Sequence, residues 1–190
     1  MMISDNDGQL LVKTAREAIN KYLVEHTRID LSNEFKTRFS FNAGVFVTLK
    51  KENLRGCIGF PTPDRKLHQS LVEAAIASAT EDPRFLPVSM EEMKEIIVEV
   101  TVLTPPSVIK VNHPLEYPKV IKVGRDGLIV KWKHCSGLLL PQVPLEYGWN
   151  EEEFLSYTCE KAGAPPNCWK QNDTMIFKFE GVVFGEKTPE

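Results

Sequence analysis

The sequence lacks the features that mark several common classes of protein. Its 23 lysines and arginines do not outnumber its 26 aspartates and glutamates, so no overall basic charge is present to hold phosphates. No apolar run approaches the ~20 residues that span a bilayer. The opening residues, MMISDNDGQL, do not place a basic stretch before an apolar one, as a secretory signal would. These absences predict a cytoplasmic protein without a membrane segment, and they rank nucleic acid last among candidate partners.

Paired metal ligands are also absent from the sequence. Its four cysteines form no C-x-x-C pair, and no two of its histidines stand at zinc-binding spacing. The sequence therefore predicts no metal site and no cofactor. In a reducing compartment the cysteines are expected to be thiols outside any disulfide: Cys57, Cys135, Cys159 and Cys168.

The pattern of apolar residues predicts an α+β fold. With 190 residues, 42% of them hydrophobic, the chain can bury a sizeable core. Helical spacing marks residues 9–25 and 66–80, and a capping box at Asn150 and Glu153 marks a helix over 150–163. Alternation typical of strands marks 45–60, 95–103, 128–132 and 175–184. Hairpins outnumber βαβ units in this order. We therefore expect a mixed, mostly antiparallel sheet covered by helices, arranged as one domain or as two intertwined lobes.

Two further structural predictions concern the middle of the chain. The proline-rich stretch 104–118 is the candidate boundary between lobes within a single domain spanning residues 1–190. Further on, Asp126-Gly127 is typical of a tight turn, which predicts a hairpin between residues 120–123 and 128–132.

The stretch LRGCIGF, residues 54–60, combines an arginine and a cysteine on what reads as a strand. Strand alternation predicts that Arg55 and Cys57 share one face, and that Leu54 and Ile58 share the other face, toward the core. A neighbouring guanidinium favours the thiolate, so Cys57 is a candidate nucleophile. The alternative is that Arg55 pairs with a surface acid while Cys57 packs without reacting.

This stretch and three others resemble the AMMECR family. LRGCIGF is followed, in the family's order, by DPRF at 82–85, by GLLLPQV at 137–143 and by KAGAPPNCW at 161–169. The resemblance implies an α+β fold without a settled biochemical activity. It also implies Memo-like or radical-SAM proteins as candidate partners, because prokaryotic family members are encoded near such proteins or are fused to them.

Motif positions define the candidate site. We take Cys57, Arg55 and Asp82 as hypothetical catalytic residues, and list the hypothetical binding residues as Gly56, Gly59, Arg84 and Gln142. They would form a pocket for a small ligand or a catalytic site. The alternative is a non-catalytic interaction module whose motif is a docking surface or a structural crossing point. Asp82 and Arg84 could equally form a turn-stabilising ion pair.

Two weaker patterns complete the sequence analysis. His134 could form a dyad with Cys57, although sequence alone does not place them together. The strip from Lys131 to His134 interleaves basic and aromatic residues, as surfaces that bind single-stranded nucleic acid do. An exposed hairpin strand explains that strip equally well.

Overall fold

The protein divides into two compact units. The computed structural model describes residues 3–186. The first unit holds the chain up to Leu103 together with the segment from Val182, and the second holds Thr104–Gly181. Each unit has its own hydrophobic core.

Helices and an antiparallel sheet make up the first unit. Strands β1 (Val45–Lys51), β2 (Asn53–Phe60) and β3 (Ile97–Leu103) lie in the order β2-β1-β3, which leaves β2 at the edge. The helices are α1 (Asp5–Glu25), α2 (Asn33–Arg38) and α3 (Leu67–Thr80). The alternation read from the sequence is present, because Val45, Val47 and Leu49 of β1 are all fully buried. The hairpin and the helices α1 and α3 are confirmed, whereas α2 was not predicted.

One irregularity in the β1–β2 hairpin changes which face its side chains occupy. Thr48 lies opposite Cys57, but Lys50 lies opposite Leu54, because the register shifts between Leu49 and Lys50. Arg55 is thus the extra residue of a β-bulge, which reverses the alternation beyond it. The predicted burial of Leu54 is therefore wrong, and its side chain is 43% exposed.

The second unit is built on another antiparallel arrangement. Strand β5 (Asp126–Trp132) pairs with β6 (Cys135–Leu139) on one side and with β7 (Thr174–Gly185) on the other, and the short β4 (Ser107–Val108) also pairs with β7. Its helices are α4 (Tyr117–Val120), α5 (Val143–Tyr147) and α6 (Glu151–Lys161). The capping box predicted at Asn150 and Glu153 is present at the start of α6 and is confirmed.

The predicted turn at Asp126-Gly127 is wrong. These two residues open β5, and the hairpin turn comes later, at Lys133 and His134 between β5 and β6. Asp126 is fully buried and accepts hydrogen bonds from the Lys122 amide and from the Arg125 guanidinium. An aspartate that accepts hydrogen bonds from the loop before it is the same residue type as an aspartate in a tight turn. The predicted hairpin was therefore placed too early in the chain.

The architecture confirms the predicted α+β class, with antiparallel strands covered by helices. Within residues 3–186, no helix combines the length and the apolar composition needed to span a bilayer.

An arginine clamp fixes the end of β7 in the first unit. From Val182 onward β7 lies beside β3, and Glu186 follows it. Arg16 of α1 donates to both carboxylate oxygens of Glu186 and to the carbonyl oxygens of Met93 and Ile96. Glu186 also accepts a hydrogen bond from the Val98 amide. Both charged side chains are about three-quarters buried, so the pair contributes more than an exposed ion pair would.

We expect Arg16→Met to lower the free energy of unfolding by about 2 kcal/mol, because four hydrogen bonds are lost and Glu186 keeps an uncompensated charge. Urea denaturation at neutral pH measures this change. The control Lys13→Met removes an exposed ion-pairing residue from the same helix and should leave the midpoint nearly unchanged. Equal effects of the two substitutions would contradict the clamp.

Candidate functional site

The candidate site lies where the edge strand β2 meets the residues that follow α3. Cys57 is half-buried, and its Sγ lies 3.3 Å from the Oγ1 of Thr48, its partner on β1. The amide and carbonyl of Cys57 both bond to side chains of residues 82–92, which we term the edge segment. In an antiparallel pair, residues whose backbone groups face outward have the closer side chains, which explains the contact between thiol and hydroxyl.

A buried carboxylate fastens the edge segment to the strand. Asp82 is 4% exposed and accepts a hydrogen bond of 2.8 Å from the Cys57 amide. Arg84 donates to both oxygens of Asp82, at 3.0 and 2.8 Å, and to the Cys57 carbonyl at 3.4 Å. The Asp82–Arg84 pair therefore substitutes for a neighbouring strand at this point and covers an otherwise open sheet edge. The ion pair considered from the sequence is present.

These contacts determine the charge of Asp82. The hydrogen bonds from Arg84 and from the Cys57 amide hold the pKa of Asp82 far below its ordinary value, against the opposing effect of burial. Asp82 is thus ionised at neutral pH and has no proton to donate. Its two oxygens together accept four hydrogen bonds, from the Cys57 amide and from the backbone and side chain of Arg84.

Arg55 contacts the same segment at a second point. It donates to Glu92 through Nε at 2.6 Å and through Nη2 at 3.0 Å, and Nη2 also reaches the Leu86 carbonyl at 3.0 Å. Its guanidinium carbon lies 5.7 Å from the centroid of the Phe85 ring. The hydrogen bonds from Arg55 lower the pKa of Glu92, so the two charges offset each other. Arg55 is thus both the extra residue of the β2 bulge and a residue that binds the edge segment.

The two motif glycines on β2 are required by close packing. A Cβ at Gly56 would lie 2.2 Å from the Ser78 carbonyl oxygen of α3, and one at Gly59 would lie 2.4 Å from the Phe46 ring. Both distances are below any real contact. The glycines thus let the strand pack closely against α3 and against the neighbouring strand β1.

The structure brings together Cys57, Arg55, Asp82 and Arg84 of the residues proposed from sequence, while Gln142 lies in the second unit. There Gln142 precedes α5 and is exposed. His134 also lies in that unit, in the β5–β6 turn. Cys159 and Cys168 are fully buried in its core, where burial raises the pKa of both thiols. These two cysteines are packing residues.

Sequence reasoning missed the partners that complete the site. Glu92, Phe85 and Leu86 were given no role in the site. From the sequence, pairing of Arg55 with an acid is one alternative, but strand alternation does not identify which acid. Within the part of the chain described, no group of three or more histidine, cysteine or acidic side chains could hold a metal ion. The site itself contains the Cys57 thiol and two ion pairs, Arg55–Glu92 and Asp82–Arg84.

Comparison with known proteins shows what this chain is similar to. The sequence model described as AMMECR1 matches residues 12–184. Protein PH0010 of Pyrococcus horikoshii is 51% identical, over 98% of this chain and 93% of its own length. Protein MJ0810 of Methanocaldococcus jannaschii is 47% identical, over 99% and 94%. The crystal structure of the uncharacterized protein PH0010 has a TM-score of 0.83 and covers 98% of this chain and 95% of that one.

We term the hydrogen bonds of Asp82 to the Cys57 amide and to Arg84 the Asp82 lock, and we expect them to make the stability of the fold depend on pH. A carboxylate whose pKa is lowered by folding stabilises the protein above its unfolded pKa, and this stabilisation is lost as the pH falls through the folded value. Asp82→Asn should therefore cost about 2 kcal/mol at pH 7, and the difference from wild type should shrink below about pH 4. Urea denaturation at several pH values measures this. The exposed Asp64→Asn is the control, and a pH-independent difference for Asp82→Asn would contradict the lock.

Proposed function

The chain belongs to the AMMECR1 family, and from that premise we propose that it acts as a protein-interaction module whose docking surface is the edge segment. The observation that carries this proposal is the commitment of the motif's charged groups to one another. Arg55 is paired with Glu92, and Asp82 is paired with Arg84 and with the Cys57 amide. Charged groups that are paired in this way hold a surface in place, and they are poorly suited to transferring protons.

The side chains exposed beside these two ion pairs are largely apolar. Leu86 is 83% exposed, although Arg55 holds its backbone carbonyl in place. Leu54, brought to the surface by the bulge, is 43% exposed, and Met90 of the same segment is 38% exposed. Apolar side chains on a rigid backbone bind at low entropic cost, because the segment is ordered before the partner arrives. Arg84, with 53% of its side chain exposed, supplies a charge at the rim of this surface.

The proposed partner is a protein with a small apolar pocket and a nearby acidic group. The family resemblance suggests Memo-like and radical-SAM proteins as the first candidates, in the cytoplasm. Leu86 would enter the pocket, and the acid would face Arg84. Association through a few central apolar anchors surrounded by polar residues is the usual arrangement of such interfaces.

A second candidate function keeps Cys57 as a nucleophile in a small-ligand pocket. The observation in its favour is the half-buried thiol beside the Thr48 hydroxyl on the face of β2 opposite α3. In this version Arg55 would have to stabilise the thiolate. Its charge is offset by Glu92 at 2.6 Å, which is why the module is the better-supported proposal.

We expect Leu86→Asp to weaken binding of a purified Memo-like or radical-SAM partner at least about tenfold, because a charge would replace the central apolar anchor. Isothermal titration calorimetry with each purified partner measures the affinity. Leu115→Asp, at another exposed leucine, is the matched control and should bind like wild type. Failure of both partners to bind the wild type, or equal effects of the two substitutions, would overturn the proposal.

The alkylation of Cys57 by iodoacetamide separates the module from the enzyme. Because Glu92 offsets Arg55, we expect the pH midpoint of the alkylation rate to change little in Arg55→Met. Mass spectrometry of the modified peptide measures the rate at each pH. A wild-type midpoint well below the ordinary thiol value of about 8.5, moving upward by about one unit in Arg55→Met, would instead favour the nucleophile. Thr48→Val is a second variant that alters the thiol's neighbour and leaves Arg55 in place.

A further inference from the structure

An exposed aromatic stack in the second unit is not used by the proposed function. The rings of Tyr147 and Trp149 lie 4.9 Å apart at 15°, and those of Trp149 and Tyr157 lie 4.0 Å apart at 16°. Tyr147 is 67% exposed and Tyr157 is 41% exposed, with Leu145, 62% exposed, two residues before Tyr147. We term Tyr147, Trp149 and Tyr157 the aromatic stack.

The motif GLLLPQV leads directly into this surface. After Pro141 and Gln142 the chain turns into α5, with the Gln142 carbonyl accepting from the Leu145 and Glu146 amides. Gly148, at φ 67°, then ends α5 and leads to Trp149. A left-handed residue at this position favours glycine. The conformation of this short segment thus places Tyr147 and Trp149 on either side of Gly148, in reach of α6.

Carboxylates flank the stack in the sequence. Glu146 precedes Tyr147, and Glu151 and Glu152 follow Trp149 in the first turn of α6. Within residues 3–186 none of these three makes an ion pair. The start of α6 favours negative charge at Glu151 and Glu152, and Glu146 lies in the first turn of the short helix α5. Negative charge beside exposed aromatic rings is complementary to a cation with a flat face.

From this charge complementarity we propose that the aromatic stack is a docking surface for an arginine-bearing segment of a partner protein. A guanidinium can lie on the outer face of Tyr147 through a cation–π contact while it donates two parallel hydrogen bonds to a carboxylate. Lysine fits less well, because its ammonium neither stacks nor forms paired bonds. Phosphate-bearing partners would be repelled by the three carboxylates, which argues against nucleic acid on this surface.

The test uses the full chain, labelled with nitrogen-15, and the synthetic peptide Gly-Arg-Gly-Arg-Gly with blocked ends. Trp149→Phe identifies the Trp149 indole signal among the three tryptophans. We expect saturable shifts at that signal on addition of the peptide. The lysine version should bind about threefold to fivefold more weakly, the glutamate version should not bind, and added salt should weaken binding. Equal shifts with all three peptides, no shift at millimolar peptide, or equivalent shifts with a single-stranded oligonucleotide would overturn the proposal.

Two variants test the assigned contacts. Tyr147→Ser removes the outermost ring and should weaken binding of the arginine peptide about threefold to fivefold. The triple change Glu146→Gln, Glu151→Gln and Glu152→Gln should weaken it further and reduce its salt dependence. Glu160→Gln, an exposed acid later on α6, is the matched control for charge. Unchanged affinity in Tyr147→Ser, with a wild-type spectrum elsewhere, would contradict the stack as the site.

This surface is independent of the edge segment. Leu86→Asp should leave peptide binding at Trp149 unchanged, and Tyr147→Ser should leave binding at the edge segment unchanged. The two proposals can therefore fail separately.

Discussion

The hydrogen bond from the Cys57 amide to Asp82 is the contact on which the candidate site depends. β2 is an edge strand, and an uncovered edge presents backbone groups that would pair with any strand nearby. Asp82 and Arg84 satisfy the amide and the carbonyl of Cys57 and fix the start of the edge segment. Arg55 fixes the same segment further along, at Leu86 and Glu92. Two separate motifs, LRGCIGF and DPRF, thereby form one structural unit.

Strong periodicity and capping signals predicted most of the fold. The predictions that were wrong concern places where the local backbone conformation departs from a regular pattern. The capping box at Asn150 and Glu153 fixed the start of α6 because its hydrogen bonds are local and depend on spacing alone. The predicted burial of Leu54 was wrong because one extra residue in β2 reverses the alternation. Nothing in the sequence distinguishes a regular LRG segment from a bulged one. The turn at Asp126 was wrong because a buried acid that caps a loop has the same residue type as a turn acid.

The candidate site shows the same division. Strand position placed Arg55 and Cys57 at the site, and the ion pair between Asp82 and Arg84 had been one of two alternatives for these residues. Which backbone group Asp82 accepts from, and which carboxylate receives Arg55, depend on tertiary contacts between residues 25 and 37 positions apart. Residue type predicted that these groups need partners. It could not predict that Asp82 binds the Cys57 amide, or that Arg55 binds Glu92 and the Leu86 carbonyl.

The commitment of these charges decides how the motif can be used. A catalytic thiol is usually activated by a neighbouring cation or base, and the activating charge must be available to the thiolate. Arg55 instead makes two bonds to Glu92, and Asp82 is held ionised by Arg84 and the Cys57 amide. Gly56 and Gly59 bring backbones into contact, where any side chain would clash. The arginine, the two glycines and the acid are therefore explained by the geometry of one strand edge, and the thiol lies within that edge beside Thr48. In the proposed function, the partner would bind the surface that this edge holds in place, where Leu86 is 83% exposed.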